Sequence, residues 1–255
     1  MTQDETWLLS EKYDGEKCEA FFADCDRLKN GEPLAYVIGS IPFVHTKIYL
    51  DSHPLIPRAE TEFWVEKIIS EMRNTIDQGK ASINVLDLCA GSGCIGVAVL
   101  KDVRVARVDF VEIDAGHHPT IQKNIFKNMI DAHQTCILGG DLFEHVSGHY
   151  DYILTNPPYI DPAHDRAEES VKRHEPKNAL YGGVSGTEII FRIIDQGPNY
   201  LTDGGVLVIE HEPEQSMLIQ EYAAAHGLLV QTHVDQFNTE RYTHLTRKDT
   251  SLVSQ

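Results

Sequence analysis

Short apolar runs alternate with segments of mixed polarity along the chain after residue 79. Runs rich in β-branched and aromatic residues, which favour strands, lie at 83–88, 106–113, 135–140, 150–155 and 205–210. Most segments between them are compatible with helices, and this alternation predicts a parallel, doubly wound sheet. Two further runs, 228–235 and 242–247, are joined by so short a link that we predict antiparallel neighbours at the sheet edge.

The chain before this region has a different pattern. Residues 1–30 are polar, acidic and compatible with helices, and we expect Phe21, Phe22 and Leu28 to form a buried stripe. Over residues 31–58, β-branched and aromatic residues are punctuated by glycine and proline. This pattern predicts two short strands around a turn, a β-hairpin.

An amphipathic helix is predicted after the hairpin, because apolar side chains recur near helical spacing over residues 60–73. The predicted fold is therefore α/β, with a seven-stranded, Rossmann-like domain at 58–255. Residues 1–57 form a short N-terminal helical segment and the β-hairpin, which we expect to lie on the substrate side.

The composition is that of a soluble globular protein. The chain has 255 residues, of which 42% are hydrophobic and 24% charged, and this suits one α/β domain with a small appendage. The N-terminus is acidic where a secretory signal would be basic and then apolar, and no run of 18 apolar residues follows. We therefore expect a cytoplasmic protein that is not bound to a membrane, and a monomer.

The net charge and the spacings of the cysteines and histidines disfavour several classes of ligand and substrate. The five cysteines contain no C-x-x-C pair, which favours reduced thiols, and the thirteen histidines show no spacing typical of a metal site. A net charge of −17 opposes the binding of phosphate backbones, so we do not expect free DNA or RNA as a substrate. The charge suits a soluble enzyme, or one that meets a basic protein partner.

A glycine-rich loop follows the first predicted strand of the sheet. Gly91, Gly93 and Gly96 satisfy G-x-G-x-x-G, and Glu112 closes the second strand about 20 residues later, where a ribose hydroxyl is expected. The pattern indicates a nucleoside cofactor, although a tight turn that only packs a helix on a strand would show the same glycines.

Asp87 separates the two cofactor classes that the loop could bind. A dinucleotide would bring a pyrophosphate to this loop, and a nearby carboxylate would repel it. S-adenosylmethionine instead brings an ammonium and a sulfonium, which an acid at the strand end attracts. The carboxylate of the methionine part of S-adenosylmethionine can bind the backbone N–H groups of residues 91–93. We therefore favour S-adenosylmethionine over a dinucleotide.

The fourth predicted strand ends in the tetrapeptide Asn156-Pro157-Pro158-Tyr159, at the sheet edge where α/β proteins bind ligands. Two successive prolines fix the backbone and remove two donors, so carbonyls stay available as acceptors. The Asn156 side-chain oxygen and the Pro157 carbonyl can accept hydrogen bonds from both N–H groups of a planar amide. The Tyr159 ring can pack against the amide plane. The alternative is an ordinary proline-rich turn.

The glycine-rich loop, within DLCAGSG, and the tetrapeptide, within NPPYI, are accompanied by other motifs. These are GEPLAYVIGS, LIPRAETE, Glu112 with Asn124, GDLFE, the pattern EP…AL.GG..G at Glu175, Pro176, Ala179, Leu180, Gly182, Gly183 and Gly186, and the single residues Glu210, Asp235 and Arg241. Over roughly residues 31–247 the chain resembles the HemK-type protein-(glutamine-N5) methyltransferases, which modify peptide chain release factors.

The resemblance implies a seven-stranded Rossmann-like fold with S-adenosylmethionine as cofactor. It also implies that Asn156, Pro157, Pro158 and Tyr159 hold the glutamine of the Gly-Gly-Gln motif of a release factor. By resemblance the cofactor would be lined by Cys89, Ala90, Gly91, Ser92, Gly93, Glu112, Asp141, Leu142 and Asn156.

The sequence departs from the family pattern in three places. Glu112 stands where aspartate is commoner, and Cys89 replaces a glycine. About 30 residues precede the hairpin, where bacterial members usually carry a helical domain of more than twice that length that helps to engage the protein substrate. For Arg58 and Glu60 in LIPRAETE, an ion pair that ties the hairpin to the helix is one interpretation.

Other functions stay open at this stage. NPPY also resembles the motif of adenine-N6 methyltransferases, whose acceptor amine is likewise planar. A glutamine methyltransferase that acts on a ribosomal protein is a nearer alternative. A non-catalytic scaffold would not need an intact NPPY, and a dehydrogenase is disfavoured by Asp87.

Overall fold

The computed structural model describes residues 1–248. The strands are β1 (Ser40–Phe43), β2 (Thr46–Tyr49), β3 (Ile83–Leu88), β4 (Ala106–Glu112), β5 (Thr135–Gly139), β6 (Tyr150–Thr155), β7 (Leu201–Glu210), β8 (Leu228–Val234) and β9 (Glu240–Arg247). The α-helices are α1 (Gln3–Tyr13), α2 (Glu19–Lys29), α3 (Leu34–Ile38), α4 (Ala59–Asp77), α5 (Cys94–Asp102), α6 (His118–Lys127), α7 (Glu169–His174), α8 (Lys177–Leu180), α9 (Glu188–Gln196) and α10 (Ser216–Ala225).

The main sheet has seven strands in the order β5-β4-β3-β6-β7-β9-β8. The first five are parallel, and β9 is antiparallel to both β7 and β8. This confirms the predicted parallel sheet and the antiparallel pair at its edge. The strand order reverses between β3 and β6, which is the position where α/β sheets bind ligands outside the carboxyl ends of their strands.

Strand β7 is longer than predicted, because it begins at Leu201 instead of residue 205. Residues 201–204, including Gly204, were not predicted to lie in the strand, but they belong to it. The pairing with β6 shifts register between Tyr150 and Tyr152, so this part of the ladder is irregular.

The sheet is covered on both faces, and its buried side chains fall into two clusters. Val85 of β3 belongs to the cluster that includes α4, α5 and α6. Its neighbours Leu86 and Leu88 belong to the cluster that includes α9 and α10. Adjacent strand residues point to opposite faces, so a strand buried on both sides is apolar nearly throughout.

The N-terminal helices have a small apolar cluster of their own, formed by Leu8, Phe21, Cys25 and Val37. Phe21 is buried and Leu28 packs against this cluster, but Phe22 is 56% exposed, so the predicted stripe was wrong at that residue. Consecutive helical residues point about 100° apart, and here Phe21 faces the cluster while Phe22 points toward solvent. The short helix α3 was also not predicted.

The predicted β-hairpin is confirmed as β1 and β2, with Ser40 paired to Tyr49. Its side chains Phe43 and Ile48 are buried in the same cluster as α4, α5 and α6. The division at residues 57 and 58 stays a prediction, and the last seven residues of the proposed second domain, 249–255, lie outside the described residues. Within residues 1–248, no helix is long and apolar enough to cross a membrane.

Candidate active site

The glycine-rich loop turns sharply between β3 and α5. Cys89, Gly91 and Gly93 have positive φ angles of 62°, 55° and 76°, and Gly93 is the N-cap residue that precedes α5. A side chain at Gly96 would collide with the Phe110 ring of β4. The loop glycines therefore permit the turn, and Gly96 permits close packing of helix on strand.

Asn124 joins this loop to the hairpin. Its side chain is fully buried, and its Nδ2 donates to the carbonyl of Ser92 over 2.9 Å and to that of Tyr49 over 3.0 Å. Its Oδ1 accepts from the Tyr49 amide over 2.7 Å. Asn124 thus fixes the loop against β2, which gives a physical reason for its place in the motif with Glu112.

Asp87 lies beneath the loop with a carboxylate that is only half satisfied. Its Oδ2 accepts from the Gly96 amide over 2.8 Å, whereas Oδ1 is buried and has no hydrogen-bond partner among residues 1–248. Burial raises the pKa of the Asp87 carboxyl to about 8. The unpaired buried oxygen of this carboxyl is a suitable partner for a cationic group, which would favour its ionised form.

Glu112, at the end of β4, reaches the same loop. Its Oε2 accepts from the Gly91 amide over 2.7 Å and its Oε1 accepts from the Asp114 amide over 2.9 Å. Each carboxylate oxygen has a further lone pair, so Glu112 can still accept from hydroxyl groups. The predicted acid and the predicted loop are therefore in direct contact.

Two of the predicted cofactor residues, Asp141 and Leu142, follow β5. Leu142 is buried with a positive φ of 52°, in the same apolar cluster that Cys89 and Tyr159 pack against. The Asp141 carboxylate is partly exposed and pairs with Arg192 over 2.7 Å. The predicted cofactor residues thus lie at the ends of the adjacent strands β3, β4, β5 and β6.

Two glycines of the EP…AL.GG..G pattern pack on the NPPY backbone. A Cβ at Gly182 would lie 2.5 Å from the carbonyl oxygen of Pro158, and one at Gly186 would collide with the carbonyl of Tyr159. Gln215 adds a hydrogen bond from its Nε2 to the Tyr159 carbonyl over 2.7 Å. The backbone after β6 is therefore closely packed and hydrogen-bonded at its carbonyls.

A buried carboxylate lies behind NPPY. Glu210 accepts from Thr61 Oγ1 and from Trp64 Nε1, both over 2.7 Å, and from the Tyr159 hydroxyl over 3.0 Å. Burial raises the pKa of the Glu210 carboxyl, against the effect of these three donors. Burial, with the charge of Glu210, raises the pKa of Tyr159 well above its ordinary value, so the phenol stays protonated and donates.

A cavity of about 830 Å³ opens beside NPPY. Its lining includes Asn156, Pro157, Tyr159, Arg58, Leu55, Val171, Leu180, Glu212, Gln215 and Leu218. Two of its wall segments, the start of α4 and the chain after β6, are far apart in the sequence.

The structure corrects the expected ion pair of Arg58. Arg58 pairs with Glu175 over 2.6 Å, and not with Glu60. Glu175 is buried and its second oxygen accepts from the Ile56 amide over 3.1 Å. The pair therefore joins the start of α4 to the segment after NPPY, and it contributes to one wall of the cavity.

Comparisons with known proteins identify the family of the chain. The release factor glutamine methyltransferase of Yersinia pestis is 34% identical over 219 residues, which are 86% of this chain and 76% of that protein. The protein of the same name from Bifidobacterium longum is 32% identical over 87% of this chain and 78% of its own length. The chain belongs to the release factor glutamine methyltransferase family. It is therefore a methyltransferase, as the resemblance implied.

Other similarities are consistent with the family. Residues 67–173 match the methyltransferase small domain model. The ribosomal protein uL3 glutamine methyltransferase of Bradyrhizobium diazoefficiens is 33% identical over 72% of this chain and 59% of that protein.

Solved structures confirm the Rossmann-like methyltransferase fold. The hMettl16 catalytic domain, in complex with a 3′UTR hairpin, has a TM-score of 0.61 at 14% identity, over 81% of this chain and 77% of that chain. The 16S rRNA methyltransferase RsmC of T. thermophilus, in complex with AdoMet and guanosine, has a TM-score of 0.56 at 17% identity, over 82% and 50%. At this identity the likeness concerns the fold alone.

Sequence reasoning missed three residues that support NPPY. Thr61 and Trp64 contact Glu210, and Gln215 contacts the Tyr159 carbonyl. Glu210 was noted as a motif residue without a role. Thr61 lies within LIPRAETE, but no local pattern indicates a partner that is 149 residues away.

Proposed function

We propose that the chain transfers a methyl group from S-adenosylmethionine to the side-chain amide nitrogen of a protein glutamine. We further propose that this glutamine belongs to the Gly-Gly-Gln motif of a peptide chain release factor. The observation that carries the proposal is the environment of Asn156, which lines the cavity while its Nδ2 donates to Thr61 over 3.1 Å. Its oxygen is then free to accept from an amide N–H.

The cofactor assignment rests on the glycine loop and Asp87. The unpaired Oδ1 of Asp87 suits the ammonium group, and the loop amides around Gly91 suit the carboxylate. The remaining lone pairs of Glu112 suit ribose hydroxyls. When bound, S-adenosylmethionine supplies an electrophilic methyl group on a sulfonium.

On the acceptor side, this chain contributes position more than acid–base chemistry. An amide nitrogen is a weak nucleophile, because its lone pair is delocalised into the carbonyl. Asn156 Oδ1 and the Pro157 carbonyl would hold its two N–H bonds, and the Tyr159 ring would limit its movement. Orientation of this kind can lower the activation free energy by several kcal/mol. As the N–C bond forms, the bond between sulfur and the methyl carbon would break, which leaves a neutral thioether, and the nitrogen would release one proton to water.

The size of the cavity supports a peptide loop as the ligand. A volume of about 830 Å³ is in the range that holds whole ligands, and it exceeds the space that one glutamine side chain needs. The net charge of −17 favours a basic protein surface over a nucleic acid. We place the reaction in the cytoplasm, with residues 1–57 on the substrate side.

The decisive experiment is methyl transfer from labelled S-adenosylmethionine to an unmodified release factor. The controls are Asn156→Ala in this chain and Gln→Ala in the Gly-Gly-Gln motif of the factor. We expect label on the wild-type factor and none in either control, with the methylated glutamine located by mass spectrometry. Bound cofactor without label on the factor would reject the release factor as substrate.

A ribosomal protein is the second candidate substrate. It is favoured by the similarity to the uL3 glutamine methyltransferase, which is 33% identical over 72% of this chain. Ribosomes that lack the modification, assayed in parallel with the release factor, decide between the two.

A further inference from the structure

Two buried residues outside the predicted site form a hydrogen-bond chain that ends at the Asn156 side chain. Thr61 in the first turn of α4 and Glu210 at the end of β7 are each 1% exposed. The Thr61 hydroxyl donates to Oε2 of Glu210 over 2.7 Å and accepts from Nδ2 of Asn156 over 3.1 Å. Glu210 therefore reaches Asn156 through one shared hydroxyl.

The direction of this hydrogen-bond chain follows from counting hydrogens. The Trp64 indole N–H, which can only donate, is also directed at Oε2 of Glu210 over 2.7 Å. Oε2 is thus an acceptor, and Oε1 accepts from the Tyr159 hydroxyl, so all three neighbouring groups donate to this carboxyl. The single hydrogen of Thr61 points to Oε2, so Thr61 presents only lone pairs to Asn156.

The Asn156 amide consequently has one favoured orientation. The oxygen and nitrogen ends of an amide have nearly the same shape, so only their partners distinguish them. With the nitrogen held by Thr61, the oxygen is the end left for the cavity that Asn156 lines. A flipped amide would direct its oxygen at the lone pairs of Thr61 and two N–H bonds at the cavity.

We propose that Thr61, held by Glu210, is a positioning residue that makes the site select glutamine over glutamate. The proposal rests on the proposed function, because it concerns the side chain that enters the cavity. A glutamine amide offers N–H donors to the Asn156 oxygen, whereas a glutamate carboxylate offers only lone pairs. A site built for a donor rejects a ligand that lacks it, because buried acceptors then face each other.

Thr61→Val tests this mechanism, since valine keeps the branched shape and removes the acceptor. Thr61→Ser keeps the hydroxyl and serves as the rescue variant. Thr243→Val is the matched control, because Thr243 is equally buried and its hydroxyl bonds His211 and Thr232.

The first measurement uses the protein alone. The Asn156 side-chain amide protons are observed by NMR in asparagine-labelled protein and assigned by their loss in Asn156→Ala. In the wild type we expect one Nδ2 proton to exchange slowly with water, and we expect Thr61→Val, but not Thr61→Ser or Thr243→Val, to accelerate its exchange about tenfold or more. Equal exchange in wild type and Thr61→Val would overturn the proposal, whatever the substrate is.

The second measurement compares two forms of the release factor, with glutamine or glutamate in the Gly-Gly-Gln motif. We expect wild-type protein to bind the glutamine form at least about tenfold more tightly, and Thr61→Val to lose most of that preference. Methyl transfer by Thr61→Val should fall roughly 10- to 100-fold in kcat, while the Kd for S-adenosylmethionine stays within about twofold.

The two measurements distinguish a failure of the proposed function from a failure of the proposed selectivity. If wild type fails to bind or methylate the factor while the NMR result holds, the proposed substrate is wrong and the role of Thr61 in orienting Asn156 stands. If wild type methylates the factor and Thr61→Val retains the preference for glutamine, the selectivity proposal is wrong and the proposed function stands.

Discussion

At the scale of single residues, Asp87 has the most unusual environment near the glycine loop. Its carboxyl is fully buried, and burial raises its pKa to about 8. Between pH 3.8 and about 8 the folded chain therefore holds a proton at Asp87 that the unfolded chain has released. Both the binding of a cation and the stability of the protein depend on this proton.

Cofactor binding should release this proton below pH 8. An ammonium group beside Asp87 favours the ionised carboxylate and lowers its pKa. We expect calorimetric titration with S-adenosylmethionine at pH 7 to show release of close to one proton, measured in two buffers of different ionisation enthalpy. Asp87→Asn should bind more weakly and release none. A buffer-independent enthalpy for the wild type would contradict the assignment of Asp87.

The same carboxyl should lower stability as the pH rises. Because the folded pKa is raised, the free energy of unfolding of the unliganded protein should lose the contribution of Asp87 between about pH 4 and 8. Relative to Asp87→Asn, we expect the wild type to lose roughly 1 kcal/mol or more between pH 5.5 and 8.5. Denaturant unfolding at the two pH values measures this, and parallel losses in both proteins would disprove it.

At the scale of elements, the segment after β6 depends on glycines that leave room for its carbonyls. We expect Gly182→Ala to reduce methyl transfer at least about tenfold, because its Cβ would displace the carbonyl of Pro158. Cofactor affinity should change little, since the glycine loop is built from other strands.

Gly227→Ala is the control for this prediction. Gly227 has a φ of 78° and open space around it, so alanine there costs backbone strain of about 1 kcal/mol without touching NPPY. Its methyl transfer should stay near the wild-type rate at a temperature where both proteins are folded. A similar loss in both variants would indicate general destabilisation.

The helices and strands were largely predictable from the sequence, whereas the contacts between residues far apart in the sequence were not. The strands of the sheet were apparent because buried strands are continuous apolar runs, and α4 was apparent from its helical spacing. The ion pair of Arg58 was assigned to the neighbouring Glu60, but its partner Glu175 is 117 residues away. Periodicity reports which face of an element is buried, and it carries no information on distant contacts. Thr61 was missed for the same reason.

At the scale of the whole molecule, the charge of −17 should affect the encounter with a protein substrate. If the substrate surface that meets the cavity is basic, attraction between the two proteins weakens as salt screens it. We expect the KM for the release factor to rise several-fold between about 0.05 and 0.5 M salt, with kcat nearly unchanged. A short Gly-Gly-Gln peptide without charges is the control, and a salt-independent KM for the factor would contradict this view.

The contact between Thr61 and Glu210 also has a consequence for how the enzyme is made. It joins residues 149 apart in sequence, so it forms only after most of the chain has been synthesised. The glycine loop is held by β3, α5, β4, α6 and β2, and all of these precede β7 in the chain. A chain released before β7 would therefore contain the residues for cofactor binding and NPPY, but not the contact that orients Asn156. We therefore expect a chain truncated before β7 to lack the oriented Asn156 on which the proposed methyl transfer depends.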